Sequence, residues 1–346
     1  MPLHTAVQAI KEKQYASVYV LYGTETYLMD EFVSFASREI VPPDSADLNL
    51  SRYDCAEVPL QSILEDAETL PFLAEHRVVI AANAYFLTGA KPPSKLEHNL
   101  AALEQYLEQP PAYASILFLV YADKLDERKK LVKSLKKQAT VLSFAPLRDG
   151  DLLAWVQRRA ERHGVRMERV RVQQLVDRVG SDLRLLNNEL EKLALYLGTP
   201  GAVITDDVIE QLTPRTLEQD VFRLVDAVVA GRLPEAFRTL YDCLLTGEEP
   251  LKLLALLARQ FRLLLHVKLW APRGYSQQQL AGMLKVHPFA VKKAMEQTRY
   301  FDEASLRRLL GLFAEEDFRI KSGQVDKRLA LELLMTRVAA ELKPAR

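Results

Sequence analysis

The turn Gly23-Thr24-Glu25 contains the residues whose position most strongly suggests chemistry. It separates an apolar run at 18–22 from a helical pattern at 26–40, as a phosphate-binding loop does. Such a loop needs several glycines, a lysine that reaches the phosphates and a hydroxyl that binds Mg²⁺. Here a single glycine is followed by an acidic residue and then by bulky apolar ones. The sequence therefore predicts a degenerate phosphate-binding position that binds no nucleotide.

An ATPase also needs an acidic residue at the end of a neighbouring strand, where it orders Mg²⁺ and water. The apolar run 77–82 ends at Asn83 and supplies no carboxylate. The run 116–122 does end in an acid, Asp123, so an active ATPase stays open as an alternative hypothesis. The competing interpretation is that Asp123 caps a helix that begins at Leu125, because aspartate is a common N-cap residue.

Nucleophiles and metal ligands show no arrangement suited to catalysis. The two cysteines, Cys55 and Cys243, have no histidine nearby in the sequence, and no G-x-S-x-G motif occurs. The six histidines form no H-x-x-x-H pair that could bind a metal from one helix face. We therefore expect no catalytic residue, no metal site and no cofactor in this chain.

Composition and charge limit the classes of function. With 346 residues and 49% hydrophobic content, the chain is long enough for two or three domains. Lysine plus arginine and aspartate plus glutamate both number 46, so the formal net charge is zero and no whole-chain attraction to nucleic acid follows. The N-terminus shows no basic start followed by an apolar core, which indicates a cytoplasmic protein.

The most apolar stretch of the sequence runs from Leu251 to Trp270. Basic residues recur through it, at Lys252, Arg259, Arg262, His266 and Lys268. Charges at that density argue against a segment that spans a membrane. We expect instead a long buried helix with one solvent-exposed edge.

The first part of the chain alternates short apolar runs with helical patterns, which is typical of a parallel sheet with crossover helices. The predicted strands are 18–22, 48–53, 78–82, 115–121 and 140–144. The predicted helices between them are 26–40, 59–69, 96–108 and 125–138. We therefore expect an α/β domain over residues 1–146.

After residue 146 the strand patterns stop and helical patterns continue to the end. Residues 149–151 are expected to cap a helix that reaches His163, and Ser181 or Asp182 to cap a leucine-rich helix that stops at Gly198. A short helix ends near Pro214. About six more follow, separated at Gly231, Gly247, Pro272 to Gly274, Pro288 and Gly323. The sequence thus predicts two all-α domains, a small one over 147–214 and a larger one over 215–346.

Two basic stretches are candidates for contact with nucleic acid. One is the predicted helix from Lys124 to Lys137, and the other lies between Arg158 and Arg166. The cations that could face phosphates are Lys129, Lys130, Lys133, Lys137, Arg158 and Arg159. A charged helix face is more often simply solvated. The sequence therefore leaves a helical scaffold or regulator that binds DNA directly as a further alternative.

The segment from Thr69 to Leu73 follows a predicted helix and groups Leu70, Phe72 and Leu73 around Pro71. Proline ends the helix and leaves three large apolar side chains near its tip. The simpler interpretation is that these side chains fold back under the sheet. The alternative is that they project into a pocket of a partner protein, since aromatic and aliphatic anchors carry much of the energy of an interface.

Several motifs in a fixed order extend over the whole chain. They are Tyr22-Gly23-x-Glu25-x-Tyr27-Leu28, Pro71-Phe72 before Arg77-Val78-Val79, Ser181-Asp182-Leu183 through Leu193, Leu257 to Leu265, Leu284 to Phe289, and Gly323 to Glu332. Together they resemble the delta subunits of the bacterial replicative clamp loader, a part of DNA polymerase III. The chain lacks the four-cysteine zinc module of the motor and delta-prime subunits, which favours delta within that complex.

The resemblance implies an AAA+-like fold in the first two domains and a helical collar at the C-terminus. It also implies a subunit that does not hydrolyse ATP, within a holoenzyme that is a DNA-directed DNA polymerase and thus a nucleotidyltransferase. The implied partners are the sliding clamp (beta), the motor subunits (tau/gamma), delta-prime through the collar, and primed DNA within the complex. No membrane partner is implied.

In the resemblance, delta subunits bind one face of the clamp through apolar residues at a helix tip and favour an opened ring, so that the clamp is loaded on primed DNA. These residues correspond to Leu70, Pro71, Phe72 and Leu73, which we call the plug. The sequence departs from the family pattern at Pro71, inside the element, and at Thr69, where a long apolar side chain is expected. Leu70 and Phe72 are therefore the first choices as anchors.

Overall fold

The chain divides into two compact units, Met1–Leu147 and Arg148–Arg346. The computed structural model describes residues 3–90 and 96–342, and for Asp149 the backbone alone. The first two residues of the predicted domain 1–146 and the last four of the predicted domain 215–346 lie outside the described residues. The further division of the helical part at residue 214 stays a prediction.

The first unit alternates strands and helices along the chain. Its strands are β1 (Val18–Gly23), β2 (Leu50–Asp54), β3 (Arg77–Ala82), β4 (Ala114–Val120) and β5 (Thr140–Phe144). Its helices are α1 (Leu3–Lys11), α2 (Thr26–Ile40), α3 (Ala46–Asn49), α4 (Leu60–Glu68), α5 (Leu100–Glu108) and α6 (Lys130–Gln138).

The strands form one parallel sheet in the order β2-β3-β4-β1-β5. Helices cover both faces of this sheet, so its central strands are mostly apolar and every residue of β4 is buried. Phe118 packs on one face in a cluster with α4, α5 and α6, whereas Leu119 packs on the other face with α1 and α2. The predicted α/β fold with a parallel sheet is confirmed.

The predicted strands and helices of this unit agree with the structure to within two residues, except at the starts of two helices. One of them, α5, was predicted to begin at residue 96 and begins at Leu100. The side chain of Asn99 accepts hydrogen bonds from the backbone N–H groups of Ala101 and Ala102. An asparagine in this role fixes the first turn of the helix at its own position.

The other helix, α6, begins at Lys130 with Lys129 as its N-cap residue, so Asp123 does not cap it. Leu125 is buried, and the backbone N–H of Asp126 donates to the Leu87 carbonyl over 2.9 Å. These contacts hold the segment before α6 against the loop that follows β3, and the segment is therefore not helical. The interpretation of Asp123 as a helix cap is therefore wrong, and the basic helix is shorter than predicted.

The second unit is helical. Its helices are α7 (Asp149–Arg162), α8 (Arg169–Val179), α9 (Leu183–Leu197), α10 (Asp206–Leu212), α11 (Leu217–Val229), α12 (Leu233–Leu245), α13 (Pro250–Trp270), α14 (Gln277–Leu284), α15 (Pro288–Gln297), α16 (Glu303–Lys321) and α17 (Lys327–Ala340). With the sheet unit before it, this arrangement confirms the predicted fold class.

The leucine-rich helix predicted after Gly180 is α9. Asp182 caps its start through two backbone N–H groups, and Gly198 ends it in the left-handed conformation, as expected. The leucine stripe is buried at Leu183, Leu186, Leu190 and Leu193. The predicted cap of α7 is displaced by one residue, because Arg148 has the extended backbone of an N-cap and Asp149 is already helical.

The apolar stretch 251–270 forms α13, which lies in the core of the C-terminal helices. Leu253, Leu257, Phe261 and Leu264 are fully buried, and the basic residues Lys252, Arg259 and Arg262 are exposed. The prediction of a buried helix with one exposed edge is confirmed. Among the helices that the structure describes, none is long and apolar enough to cross a membrane.

The helices α11 to α17 are one more than the six or so that the glycine and proline positions predict. The additional break lies at Phe301, which is fully buried. Asp302 then starts α16 by accepting a hydrogen bond from the Ser305 N–H over 2.7 Å. No glycine or proline marks this break, so the sequence pattern does not reveal it.

Candidate functional site

The plug lies at the end of α4, at the edge of the sheet where the parallel strands begin. α4 packs through Leu60, Ile63, Leu64 and Ala67, which recur at helical spacing and are buried. The helix ends at Glu68, and Thr69 is its C-cap with an extended backbone. Residues 69–76, which we call the 69–76 loop, connect α4 to β3 and carry the plug.

The base of the 69–76 loop is fixed on both sides. The Tyr113 hydroxyl donates to the Glu68 carbonyl over 2.8 Å, which satisfies one of the carbonyls left open at the end of α4. Arg77, at the start of β3, forms an ion pair with Asp66 of α4, and both side chains are largely buried. Arg77 also donates to the Leu48 carbonyl over 3.0 Å. The ends of α4, α3 and β3 are therefore joined beneath the loop.

Asn49, the last residue of α3, holds the middle of the loop and is fully buried. Its Oδ1 accepts a hydrogen bond from the Phe72 N–H over 2.7 Å, and its Nδ2 donates to the Phe72 carbonyl over 2.8 Å. The same Nδ2 donates to the Ser45 carbonyl over 2.9 Å. Both backbone polar groups of Phe72 are thus satisfied by a side chain 23 residues earlier in the sequence.

The plug side chains are exposed to solvent. Leu70 is 70% exposed, Phe72 59% and Leu73 83%. Leu73 has φ +54°, a left-handed conformation that is uncommon for leucine. The interpretation that these side chains fold back under the sheet is therefore wrong, because Asn49 binds the Phe72 backbone on the inner side of the loop. Three large apolar side chains on one loop form a patch of the kind that marks interaction sites.

Leu48 is a further exposed apolar residue near this loop, which sequence reasoning misses. It is 52% exposed on α3, directly before Asn49. The sequence pattern placed it in a strand over 48–53, but residues 46–49 form a short helix and β2 begins at Leu50. Nothing in the local pattern distinguishes Leu48 from an inward-facing strand residue.

The degenerate phosphate-binding position lies at the opposite edge of the sheet, where β1 ends. Gly23 has φ +145°, and a Cβ atom there would lie 1.9 Å from the Phe144 carbonyl oxygen. The N–H of Glu25, the N-cap residue of α2, donates to the same oxygen over 3.0 Å. Glycine is therefore required at position 23 by the close approach of β5, independently of any ligand.

Other polar groups at this second edge are bonded to one another. The Asn83 side chain donates to the Asp54 carboxylate over 2.6 Å. The Arg128 guanidinium donates to Asp126 over 2.8 Å, and this hydrogen bond lowers the pKa of the Asp126 carboxyl to about 2. Asp123 is exposed in a bend after β4. Within residues 3–90 and 96–342, no three His, Cys, Asp or Glu side chains are grouped to hold a metal ion.

Both cysteines are buried free thiols. Burial away from water, with a smaller contribution from nearby carboxylates, raises the pKa of Cys55 and of Cys243 to about 12. Only the thiolate is a good nucleophile, and at neutral pH these groups are protonated. Neither cysteine is therefore suited to covalent catalysis.

The candidate DNA-facing cations fall in both units, and several already have partners within the chain. Lys129 donates to a backbone carbonyl of the loop after β3 over 2.8 Å. Lys130 forms an ion pair with Glu104 of α5 over 2.9 Å. Arg159 packs over the Trp155 ring, 4.8 Å from its centre, whereas the neighbouring Arg158 is exposed.

Lys133 and Lys137 differ from these cations. They lie one helical turn apart on α6, opposite its buried face of Leu131, Val132 and Leu135. Both are exposed, and neither forms an ion pair with another residue in the part of the chain that the structure describes. Of the four candidate lysines on and beside α6, Lys129, Lys130, Lys133 and Lys137, these last two are the ones free to meet phosphates.

Comparison with protein families identifies the class to which this architecture belongs. The protein-family model of the DNA polymerase III delta subunit matches residues 19–145. The family model of the C-terminal domain of that subunit matches residues 218–338. A third model, described as a middle domain, matches residues 149–211. The sheet unit and the C-terminal helices are thus those of a DNA polymerase III delta subunit.

Relatives match over nearly the whole length. The DNA polymerase III subunit delta of Bacillus subtilis (strain 168) is 40% identical over 328 residues, which are 95% of this chain and 94% of that protein. The solved structure of the Bacillus subtilis DNA clamp loader delta protein has a TM-score of 0.82 and 39% identity, over 97% of this chain and 99% of that one. The chain therefore belongs to the DNA polymerase III delta subunit family.

A more distant match is the replication factor C large subunit of Methanopyrus kandleri. It is 30% identical over 112 residues, which are 32% of this chain and 21% of that protein. This partial match adds no argument beyond the full-length relatives. The resemblance to the delta subunits of the clamp loader, inferred from the ordered motifs, is confirmed by those relatives.

Proposed function

We propose that this chain binds the sliding clamp through the plug and promotes opening of the clamp ring, so that the clamp is loaded on primed DNA. The observation that supports this proposal is the exposure of Leu70, Phe72 and Leu73 on a loop whose backbone Asn49 holds in place. Exposed aromatic and aliphatic side chains on a fixed support are the anchors that dominate protein interfaces.

Burial of the plug side chains can supply enough free energy for binding to the clamp. Burial of the Leu70 and Phe72 side chains in a pocket of the clamp contributes about 1.5 to 3 kcal/mol each. A subunit that binds the open ring more tightly than the closed ring shifts the clamp toward the open form by that difference in affinity. Ring opening by this route needs no ATP hydrolysis in the subunit that binds the clamp.

The proposed partners besides the clamp are the motor subunits (tau/gamma) and delta-prime, bound through a collar over residues 215–346. The proposed domains 1–146, 147–214 and 215–346 are supported by family models that match 19–145, 149–211 and 218–338. In this assembly, ATP bound by the motor subunits controls access of the clamp to the plug. The chain contributes to a DNA-directed DNA polymerase without a catalytic activity of its own.

Direct contact with primed DNA is a second proposed contribution. It is favoured by the exposure of Lys133 and Lys137 on one face of α6. Two cations one turn apart can each meet a phosphate of the same strand. Lys129, Lys130 and Arg159 are weaker candidates because each already contacts another group of the chain.

The ATPase alternative has less support. At the turn, the Glu25 N–H donates to the Phe144 carbonyl, and none of residues 24–28 is a lysine. Asp123 is exposed and has no acidic neighbours grouped with it for a metal ion among the described residues. Stoichiometric Mg-ATP binding by the isolated chain, measured by calorimetry, would restore this alternative and contradict the proposed division of labour.

The test of the proposed function is binding of the purified chain to the sliding clamp from the same cell. We expect the wild type to bind, and Leu70→Ala/Phe72→Ala to lose most of its affinity while it remains folded by circular dichroism. The matched control is Leu195→Ala/Tyr196→Ala, which removes two equally exposed apolar side chains from α9. This control variant should bind the clamp as the wild type does.

Each outcome of this experiment has a distinct meaning. Equal binding by the wild type and by the plug variant would contradict the assignment of the plug. No binding by the wild type would contradict the proposed function as a whole. Ring opening is tested separately with a clamp that carries a fluorescent pair across one subunit interface, where the wild type should increase the separation of the pair and the plug variant should not.

A further inference from the structure

The side chain of Asn49 is matched to the peptide groups of Phe72 in a way that few residues could reproduce. A neutral side-chain amide offers two N–H donors and a carbonyl acceptor. In Asn49 the acceptor binds the Phe72 N–H, and the donors serve the Phe72 and Ser45 carbonyls. Aspartate has no donor, leucine has neither group, and serine is shorter. The bonding pattern therefore requires a side-chain amide, which asparagine supplies here.

These hydrogen bonds act at Phe72, one of the two residues of the 69–76 loop proposed as anchors. Between the C-cap of α4 and the start of β3 the loop is irregular, and Leu73 adopts the uncommon left-handed conformation. Without Asn49, the N–H and carbonyl of Phe72 would have only water as partners. The loop would then sample many conformations, and fixing each residue on binding would cost about 1 to 2 kcal/mol of conformational entropy.

We propose that Asn49 is a positioning residue for clamp binding, which fixes the Phe72 backbone so that the Phe72 side chain is presented before the clamp arrives. The inference rests on the proposed function of the plug. Asn49 is fully buried, so it raises affinity without touching the partner. Groups held in the bound conformation lose less entropy on association, and preorganisation of this kind strengthens binding with no added contact.

The test is a double-mutant cycle between Asn49→Ala and Phe72→Ala, with clamp affinity as the readout. In the wild-type background, Asn49→Ala should weaken clamp binding about tenfold, mainly through faster dissociation. In the Phe72→Ala background the same change should weaken it less than about twofold, because the side chain that Asn49 positions is absent. Equal losses in both backgrounds, or no loss in either, would overturn the inference.

The matched control is Asn83→Ala. Asn83 is in the same unit and also bonds another element, through its donation to Asp54 over 2.6 Å, but it lies at the opposite edge of the sheet. Its replacement should lower the temperature of unfolding and leave the clamp affinity of the folded chain unchanged. If Asn83→Ala weakens clamp binding as much as Asn49→Ala does, the effect is a general loss of stability and the positioning role is refuted.

Hydrogen exchange of the unmodified chain provides a test that does not depend on the folding of a variant. The Phe72 amide, bonded to a buried side chain, should exchange at least about tenfold more slowly than the same amide in an unstructured peptide. Exchange at the unstructured rate overturns the inference even if the clamp binds. If the wild type fails to bind the clamp while the Phe72 amide is protected, the proposed function is refuted, although Asn49 does fix the Phe72 backbone.

Discussion

The two edges of the parallel sheet differ in how they treat their polar and apolar groups. At the edge where the strands end, the Gly23 turn is pressed against the Phe144 carbonyl, and Asn83 is bonded to Asp54. At the edge where the strands begin, polar groups are also bonded, by Asn49 and by the Asp66–Arg77 pair, but Leu70 and Phe72 face water. One edge is closed on itself, and the other exposes apolar surface.

Ligands of parallel α/β sheets usually bind beyond the carboxyl ends of the strands. In this chain the backbone and side chains at that edge bond to one another instead. The opposite edge has the exposed anchors on a supported loop. We call the edge where the strands end the closed edge, and the edge where they begin the open edge. The comparison suggests that residues at the closed edge serve stability and that residues at the open edge serve binding. Five substitutions or conditions test this division of roles, from the largest expected effect to the smallest.

Gly23→Ala should have the largest effect on stability, because the new Cβ would meet the Phe144 carbonyl oxygen at 1.9 Å and the backbone at φ +145° is strained for alanine. We expect a loss of about 3 kcal/mol or more in the free energy of unfolding, measured by urea denaturation. Gly311→Ala is the control, since it lies in α16 with nothing within 4 Å and should be neutral or stabilising. A stable Gly23→Ala chain would show that the closed edge is not tightly packed.

Leu70→Ala/Phe72→Ala should weaken clamp binding strongly and leave the stability of the fold almost unchanged. Two anchors that contribute about 2 kcal/mol each give a loss of roughly 1000-fold in clamp affinity. Because both side chains are exposed, the free energy of unfolding should change by less than about 0.5 kcal/mol. Surface-based binding kinetics and urea denaturation measure the two quantities. A large loss of stability in this variant would mean that the plug also supports the fold.

Leu73→Asn tests whether the open edge carries conformational strain. Leu73 is 83% exposed and has φ +54°, which asparagine tolerates better than leucine. We expect the free energy of unfolding to rise by up to about 1 kcal/mol, and clamp affinity to fall if the leucine enters the clamp pocket. A destabilised Leu73→Asn chain would indicate that the leucine makes favourable contacts in the unbound protein.

Acid should destabilise the open edge through His76, which lies just before β3. Burial lowers the pKa of His76, and its Nε2 is within 3.2 Å of the Ser115 hydroxyl. The unfolded chain therefore binds a proton at a higher pH than the folded chain. Stability should decrease as pH falls below the ordinary histidine value of about 6.5. His76→Gln should flatten this dependence in thermal unfolding between pH 7.5 and 5, and an unchanged slope would contradict the assignment.

Lys133→Ala/Lys137→Ala should have the smallest effect. In the assembled complex, the slope of log affinity for primed DNA against log salt concentration should decrease by about one per lysine. Clamp affinity and stability should not change. Lys130→Ala is the control, because its charge is already paired with Glu104. If Lys130→Ala reduces the slope as much as the double variant does, the two exposed lysines are not the specific contacts.

The sequence predicted the sheet well because its central strands are buried on both faces. Apolar runs such as 115–121 are distinctive, and parallel strands separated by helical patterns leave few topologies. Caps were predicted where a single residue decides the helix start, as at Asp182. The end of α4 could be located for the same local reason, since Pro71 interrupts its helical pattern.

The remaining features depend on residues distant in sequence. The start of α6 is decided by contacts of Leu125 and Asp126 with the loop after β3. The Phe72 backbone is bonded to Asn49, which precedes it by 23 residues. No periodicity connects such pairs, so the local pattern alone favoured side chains folded under the sheet, and only the resemblance to delta subunits favoured an exposed plug. Leu48 was missed because α3 interrupts the apolar run from which a strand was predicted.

The bond between the Glu25 N–H and the Phe144 carbonyl has a consequence for protein engineering. Grafting a lysine and a serine into the turn would supply the missing side chains, yet a phosphate also needs backbone N–H groups directed at it. The Glu25 N–H is already committed to β5, and the room beside Gly23 is filled by the Phe144 backbone. To regain nucleotide binding, β5 would have to separate from β1 at this point, so side-chain substitution alone cannot reverse the loss.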